Sequence, residues 1–203
     1  MQDSVYAPPK ADLRHFGEAG SDGNNAFYVV AIRKFTLLFF LTLGIYQVFW
    51  TYKNWSAFKD RCTYANEEGK DIWPIPRAIF SIFFTHSLFH KVDDYATEKE
   101  RPLTWNIDSH ATGLIGLLII SSICERLSSK SVGSPYTDLA WMLLLVPLYF
   151  SYRKAQQYIN TACGDPTGVS NSELTGANWA WMIIGGIFCV MAVVGLFLPE
   201  VNT

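Results

Sequence analysis

The sequence predicts an all-α fold, a polytopic transmembrane helix bundle with three to five membrane segments. Three observations predict it. Residues 177–198 hold no charged side chain, a run long enough to cross a hydrocarbon core of about 30 Å. Half of the 203 residues are hydrophobic and 17% are charged, against about 25% charged in an ordinary soluble domain. The charges also fall in blocks between apolar runs, as in a multi-pass protein. The formal net charge of −2 supplies no basic excess for nucleic acid, which is not expected as a partner.

Residues 1–26 are polar, rich in Pro and Gly, and show no apolar core of a secretory signal. They read as a disordered cytoplasmic tail, and residues 27–203 as a single membrane domain. The first membrane segment is 35–52. Near its middle stand Thr42 and Gly44. Glycine permits a break, and a Thr hydroxyl can satisfy the backbone groups that a break frees. These two residues mark a re-entrant turn in one reading; in the other the segment is an ordinary spanning helix and Gly44 only a packing site. Beyond the segment, Trp55, Phe58, Cys62 and Ala65 recur at helical spacing, with Lys59, Asp60 and Arg61 off that stripe. That pattern predicts an amphipathic helix lying along a membrane face.

The second segment, 72–89, opens on Pro74 and Pro76 and carries Arg77 and His86. A charge at the centre of a spanning helix costs about 2.5–3.5 kcal/mol, so this segment too is read as dipping in and returning. Phe89, Val92 and Ala96 form a weaker amphipathic stripe after it. The third segment is 107–127, with Asp108 or Ser109 as N-cap and Glu125-Arg126 at its far end, where Arg126 can snorkel. The fourth is 136–152, with Thr137 or Asp138 as N-cap and a kink expected at Pro147. The short linker between them predicts an antiparallel hairpin. Turn formers across residues 164–176 predict a loop, and the fifth segment is 177–198.

Lysine and arginine near span ends set orientation. With five crossings, nine such residues fall on the N-terminal side and seven opposite. With the first two segments re-entrant, the division becomes fourteen against two. The charge rule thus favours three crossings, a cytoplasmic N-terminus and a periplasmic C-terminus.

Phe27-Tyr28-Val29-Val30, Arg33-Lys34-Phe35, Thr42-Leu43-Gly44-Ile45-Tyr46, Trp50-Thr51-Tyr52 and Arg77-Ala78-Ile79-Phe80 carry a resemblance. Over about the first 90 residues the chain resembles a group of uncharacterised bacterial inner-membrane proteins, a domain of unknown function. Its hallmark is Thr-x-Gly-x-Tyr followed by Trp-x-Tyr. The resemblance implies a bacterial inner-membrane location and no particular activity.

Candidate chemistry is sparse. His86 and His90 share a helix face, with Asp93 and Asp94 one turn on. Two imidazoles and a carboxylate at that spacing could hold a divalent metal, with Asp108 and His110 completing the set. The competing reading is a polar helix end with its histidines in the headgroup layer. The cysteines (Cys62, Cys124, Cys163, Cys189) are too scattered for a disulfide framework or a zinc site. No phosphate loop, Gly-x-Ser-x-Gly or Cys-x-x-Cys motif occurs, so neither a cofactor nor a catalytic residue is expected. Small residues mark helix-packing faces: Gly113 and Gly116 in the third segment, and Gly185, Cys189 and Ala192 in the fifth. The seven tryptophans are expected to form an interfacial belt.

The function expected from this reading is non-enzymatic. A small inner-membrane protein would act by contact with membrane lipid, a second copy or a membrane-protein partner; one version is an immunity-type protein against a membrane-active toxin. The alternatives are an oligomeric small-solute channel or transporter, and a membrane metalloenzyme.

Overall fold

The computed structural model describes residues 25–64 and 71–195. Among them are seven α-helices and no strand. They are α1 (Ile32–Leu41), α2 (Tyr46–Tyr64), α3 (Pro74–Ile79), α4 (Ser81–Glu98), α5 (Ile107–Ser128), α6 (Tyr136–Cys163) and α7 (Gly176–Gly195). The expected tail over residues 1–26 lies almost wholly outside the described residues, as do Ala65 and residues 196–198. By length and hydropathy together, α5 alone among the described residues is long and apolar enough to cross a membrane. A shorter apolar run, Gly176–Met191, lies in α7.

The first segment is two helices. α1 ends at Leu41, and the chain turns with Leu43 at φ 51° and Gly44 at φ 84° before α2 begins. Thr42 closes the turn from within. Its hydroxyl donates to Leu38 O at 2.7 Å and accepts from Tyr46 N at 3.0 Å. The second segment is likewise split, into α3 and α4, around Phe80.

Residues 28–31 precede α1 as an irregular stretch, buried through Val30, with no neighbouring strand among the described residues. Backbone groups buried in that way need partners, and side-chain amides supply them. Asn54 Oδ1 accepts from Tyr28 N at 3.2 Å, and Gln156 Nε2 donates to Tyr28 O at 3.1 Å. Asn171 Nδ2 donates to Val29 O at 2.8 Å. Asn160 serves both groups of Val30, accepting from its N–H at 3.3 Å and donating to its carbonyl at 3.0 Å. The core forms around this stretch: Phe27, Trp55, Phe58, Phe89, Val92, Tyr95 and Ala96 are all buried.

That burial changes two expectations. The stripe Trp55, Phe58 and Cys62 packs into the protein core rather than along a membrane face. Of the seven tryptophans, Trp50, Trp55 and Trp105 are core residues, while Trp73, Trp179 and Trp181 are exposed. The helix caps differ as well. Asn106, not Asp108 or Ser109, caps α5 by accepting from Ser109 N. α6 begins after Pro135 with no side-chain cap, and Asp138 accepts instead from the hydroxyls of Ser128 and Ser134. α6 also continues eleven residues past 152 to Cys163, through Pro147.

The contacts fix the direction of each helix. Lys34 Nζ donates to Asn171 Oδ1 at 2.6 Å and Glu173 O at 2.7 Å, so α1 starts beside the loop leading to α7. Trp105 stacks on Tyr158 with centroids 4.6 Å apart, so α5 starts beside the C-terminal half of α6. All these ends form one polar base. The turn after α1 lies elsewhere. A Cβ built on Gly44 would stand 3.1 Å from Leu145 Cδ2, and one on Gly185 would stand 2.1 Å from Leu41 O. Leu145 precedes Gln156 by eleven residues, about 16 Å at 1.5 Å per residue. α2 then comes back: the Trp50 indole donates to Gln156 Oε1, and Asn54 holds Tyr28. α1 and α2 are therefore a hairpin that leaves the base and returns to it.

Replacing Asn160 by Leu strips partners from both Val30 groups at once. Each buried group left unpaired costs about 1–3 kcal/mol, so Asn160→Leu is expected to destabilise by about 2–6 kcal/mol. Gln157→Ala, at an exposed neighbouring position, is expected to stay within about 0.5 kcal/mol. Denaturation of the two variants under the same conditions checks both.

Candidate functional site

The hairpin, α3 and the first turns of α7 enclose an apolar groove of about 490 Å³. Leu38 and Thr42 come from α1 and the turn; Ile45, Tyr46 and Phe49 from the turn and α2; Ile79 from α3; Trp181 from α7. Among the described residues the only titratable side chains lining it are Tyr46 and Tyr52. With no paired acid and base and no nucleophile beside a base, the groove offers shape and apolar area for binding.

α7 reaches this place through small residues. Thr175 and Asn178 cap it reciprocally: Asn178 Oδ1 accepts from Thr175 N at 3.0 Å, and Thr175 Oγ1 accepts from Asn178 N at 3.3 Å. Ten residues on, Gly185 lets the backbone of Leu41 and Thr42 pass against the helix. Cys189 is half-buried one turn further. The side chain of Ala192 lies outside what the structure describes. Gly113 and Gly116 do not act in this way within the chain. A Cβ on either would meet nothing within 4 Å, and Gly113 is exposed.

The histidines are held separately. His90 Nε2 donates to Asp108 Oδ1 at 3.1 Å, and His86 Nε2 lies 3.3 Å from Thr112 Oγ1. Asp94 faces Lys91 at 3.8 Å instead of either histidine. Among the described residues no three His, Cys, Asp or Glu side chains gather as a metal site would require. His86, His90 and Asp94 are thus not brought together. His110 is a strut between helices: it accepts from Trp105 Nε1 at 2.7 Å and its Nε2 donates to Ser151 O at 3.0 Å.

Two charged groups secure the base beneath the groove. Burial pushes the Lys34 ammonium below its ordinary value, and nearby Glu173 partly restores it. In the loop after α6, burial pushes the Asp165 carboxyl up. Donors from Ser170, Val169 and Thr167 outweigh that effect and hold it at about 2. The loop these bonds close is pressed on residue 30. Gly168 sits at φ 68°, and a Cβ there would fall 2.5 Å from Val30 C and O.

The amides that build the base (Asn54, Gln156, Asn160, Asn171) were not singled out by the sequence. A usable signal existed, since Gln156 and Asn160 continue the Tyr149, Tyr152 stripe of α6 at helical spacing. Searches of protein-family models, curated proteins and solved structures return no match to this chain.

Gly185→Ala drives a methyl into backbone that cannot yield cheaply. It is expected to lower the melting temperature by several degrees. Gly113→Ala and Gly116→Ala are expected to hold or raise it, because alanine is the better helix former by about 1 kcal/mol. A separate expectation concerns acid. The Asp165 value lies below its ordinary 3.8, so its contribution to stability is complete above about 4. It is lost as pH falls towards 2. The stability difference between the native chain and Asp165→Asn is expected to shrink over that interval in a pH series of denaturation curves.

Proposed function

We propose that this chain is a multi-pass protein of a bacterial inner membrane, working without catalysis by contact with another membrane component. In this reading α5, the apolar half of α6 and α7 cross the bilayer. The α1–α2 hairpin enters from the cytoplasmic side and returns to it.

The observation that carries the reading is where apolar surface remains uncovered. Met182 is the only large hydrophobic side chain of α7 that is buried among those described. Ile183, Ile187, Phe188, Val190 and Val194 are exposed around the rest of the helix. The far halves of α5 and α6 repeat this, with Ile119, Ile120, Ile123, Leu139, Leu143 and Val146 exposed. Soluble monomers seldom leave contiguous apolar patches beyond a few hundred Å², whereas lipid is the natural neighbour of a helix apolar on all sides. This surface lies away from the polar base, and Trp179 and Trp181 stand exposed in the first turns of α7, next to the base, where interfacial tryptophans belong.

The turn after α1 weighs against a pore. Conduction sites use backbone carbonyls or charged rings facing water, but the backbone here is tied back on itself. Leu43 N donates to Phe40 O, Gly44 N to Phe39 O and Ile45 N to Thr42 O. An immunity-type role remains one form of the contact function, with the apolar groove and the bare face of α7 as contact surfaces.

The membrane arrangement is tested with single cysteines introduced into a chain cleared of its four native ones. Lys130→Cys, in the α5–α6 linker, is expected to react with an impermeant thiol reagent on intact cells. Asp60→Cys and Ser170→Cys are expected to react only after permeabilisation. Outside labelling at position 60 would show α1–α2 to be a crossing segment and overturn the arrangement.

A further inference from the structure

α6 carries a second, chemically different hollow. It is about 590 Å³ and is lined by Phe150, Arg153, Lys154, Gln157, Tyr158 and Thr161. These residues recur at steps of three and four, so they lie along one side of the helix. No acidic residue occurs between Asp138 and Asp165. The ion pairs among the described residues join Arg61 to Glu98, His90 to Asp108, Lys91 to Asp94 and Lys99 to Glu98. Neither Arg153 nor Lys154 takes part. The Nε of Arg153 is buried and has no hydrogen-bond partner among the described residues.

A guanidinium beside an ammonium, with no acidic partner among the described residues, is suited to phosphate oxygens. What lies above it selects the kind of phosphate. Along the same face Leu139, Leu143, Val146 and Phe150 are all exposed. From 143 to 150 the helix rises about 10 Å, within the inner leaflet's half of a hydrocarbon core of about 30 Å. The cations begin where this apolar stripe ends, level with the start of α5, since His110 meets Ser151 there. Apolar length, then charge, then the Gln157 amide is the profile of a phospholipid lying along a helix. A basic pocket on the cytoplasmic side is a recurrent seat for anionic headgroups.

We propose that this face of α6 binds one anionic phospholipid of the inner leaflet. Its phosphate sits between Arg153 and Lys154, and an acyl chain runs along Phe150, Val146 and Leu143. The inference rests on the membrane arrangement proposed above.

The test uses the full chain purified in mild detergent, probed by native mass spectrometry with phosphatidylglycerol or phosphatidylcholine added. Phosphatidylglycerol is expected to be retained at least tenfold more than phosphatidylcholine. Arg153→Gln with Lys154→Gln is expected to abolish that preference, and Arg126→Gln with Lys130→Gln, at the far end of the hairpin, to leave it intact. Lys154→Glu, at an exposed side chain, is the second variant should the double change fail to fold, and it too is expected to lose the preference. Equal retention of the two lipids, or an undiminished preference in the α6 variants, would overturn the proposal. So would displacement of bound phosphatidylglycerol by millimolar inorganic phosphate, which would make free phosphate the ligand. A chain soluble and monodisperse without detergent would instead defeat the membrane arrangement itself, and so the two failures are told apart.

Discussion

The structure depends on how the backbone of residues 28–31 is satisfied. An irregular stretch buried in a helical protein faces a problem that neither helix nor sheet solves for it. Here four side-chain amides, from α2, α6 and the loop before α7, take the place of neighbouring strands. A buried polar network of this sort is useful only when it is nearly complete, because a single orphaned group in low dielectric costs more than an average bond returns. That condition couples distant parts of the chain. Asn54 is positioned by donating to Trp50 O at 2.9 Å, and Gln156 by accepting from the Trp50 indole and donating to Asn160 Oδ1 at 2.6 Å. α2 and α6 cannot shift relative to one another without leaving Tyr28 or Val30 unpaired.

From that clasp the hairpin follows. With Tyr28 held by Asn54, the chain that leaves along α1 has to be back at the base by the middle of α2. Twenty-six residues separate the two positions, enough for two short helices and a turn about 16 Å away, and too few for a full crossing and return. The positive φ of Leu43 and Gly44 accomplishes the reversal, and Gly185 lets α7 lie close enough to cover it. The groove beside the turn is a consequence of the same economy. α3, only six residues long, cannot fill the space between the returning helix and α7.

The sequence reading reached the helices whose signal is apolar length or a local breaker. The segment 107–127 coincides with α5 within one residue, and Thr42 and Gly44 fall in the break between α1 and α2. It mistook the destination of amphipathic stripes. Periodicity reports that Trp55, Phe58 and Cys62 share a face, and nothing in it distinguishes lipid from protein as what that face meets. For the same reason three tryptophans assigned to an interface proved to be core. Helical register places Gln156 and Asn160 on the buried stripe of α6, but the role of the amides was illegible for a deeper cause. Asn and Gln carry no hydropathy signal, and their role exists only because a stretch far away in sequence has unpaired backbone groups. Of the small residues marked for packing, Gly185 meets the backbone of Leu41 and Thr42, while Gly113 and Gly116 meet no neighbour among the described residues; a glycine permits close approach without specifying that any helix arrives.

The distribution of cations ties the two proposals together. Between residues 26 and 59 there is no acidic residue, although Arg33, Lys34, Lys53 and Lys59 all lie there; α6 repeats this with Arg153 and Lys154. Lys34 is committed to the loop before α7, where carbonyl oxygens from Asn171 and Glu173 receive it. Arg153 and Lys154 have no such internal acceptors among the described residues. A guanidinium kept half-buried without a partner is costly in a protein designed for water, and the cost disappears when an anionic headgroup supplies the oxygens. The same leaflet that sets orientation through the positive-inside rule would then also complete the electrostatics of the base, so that direction of insertion and lipid binding become two expressions of one charge pattern.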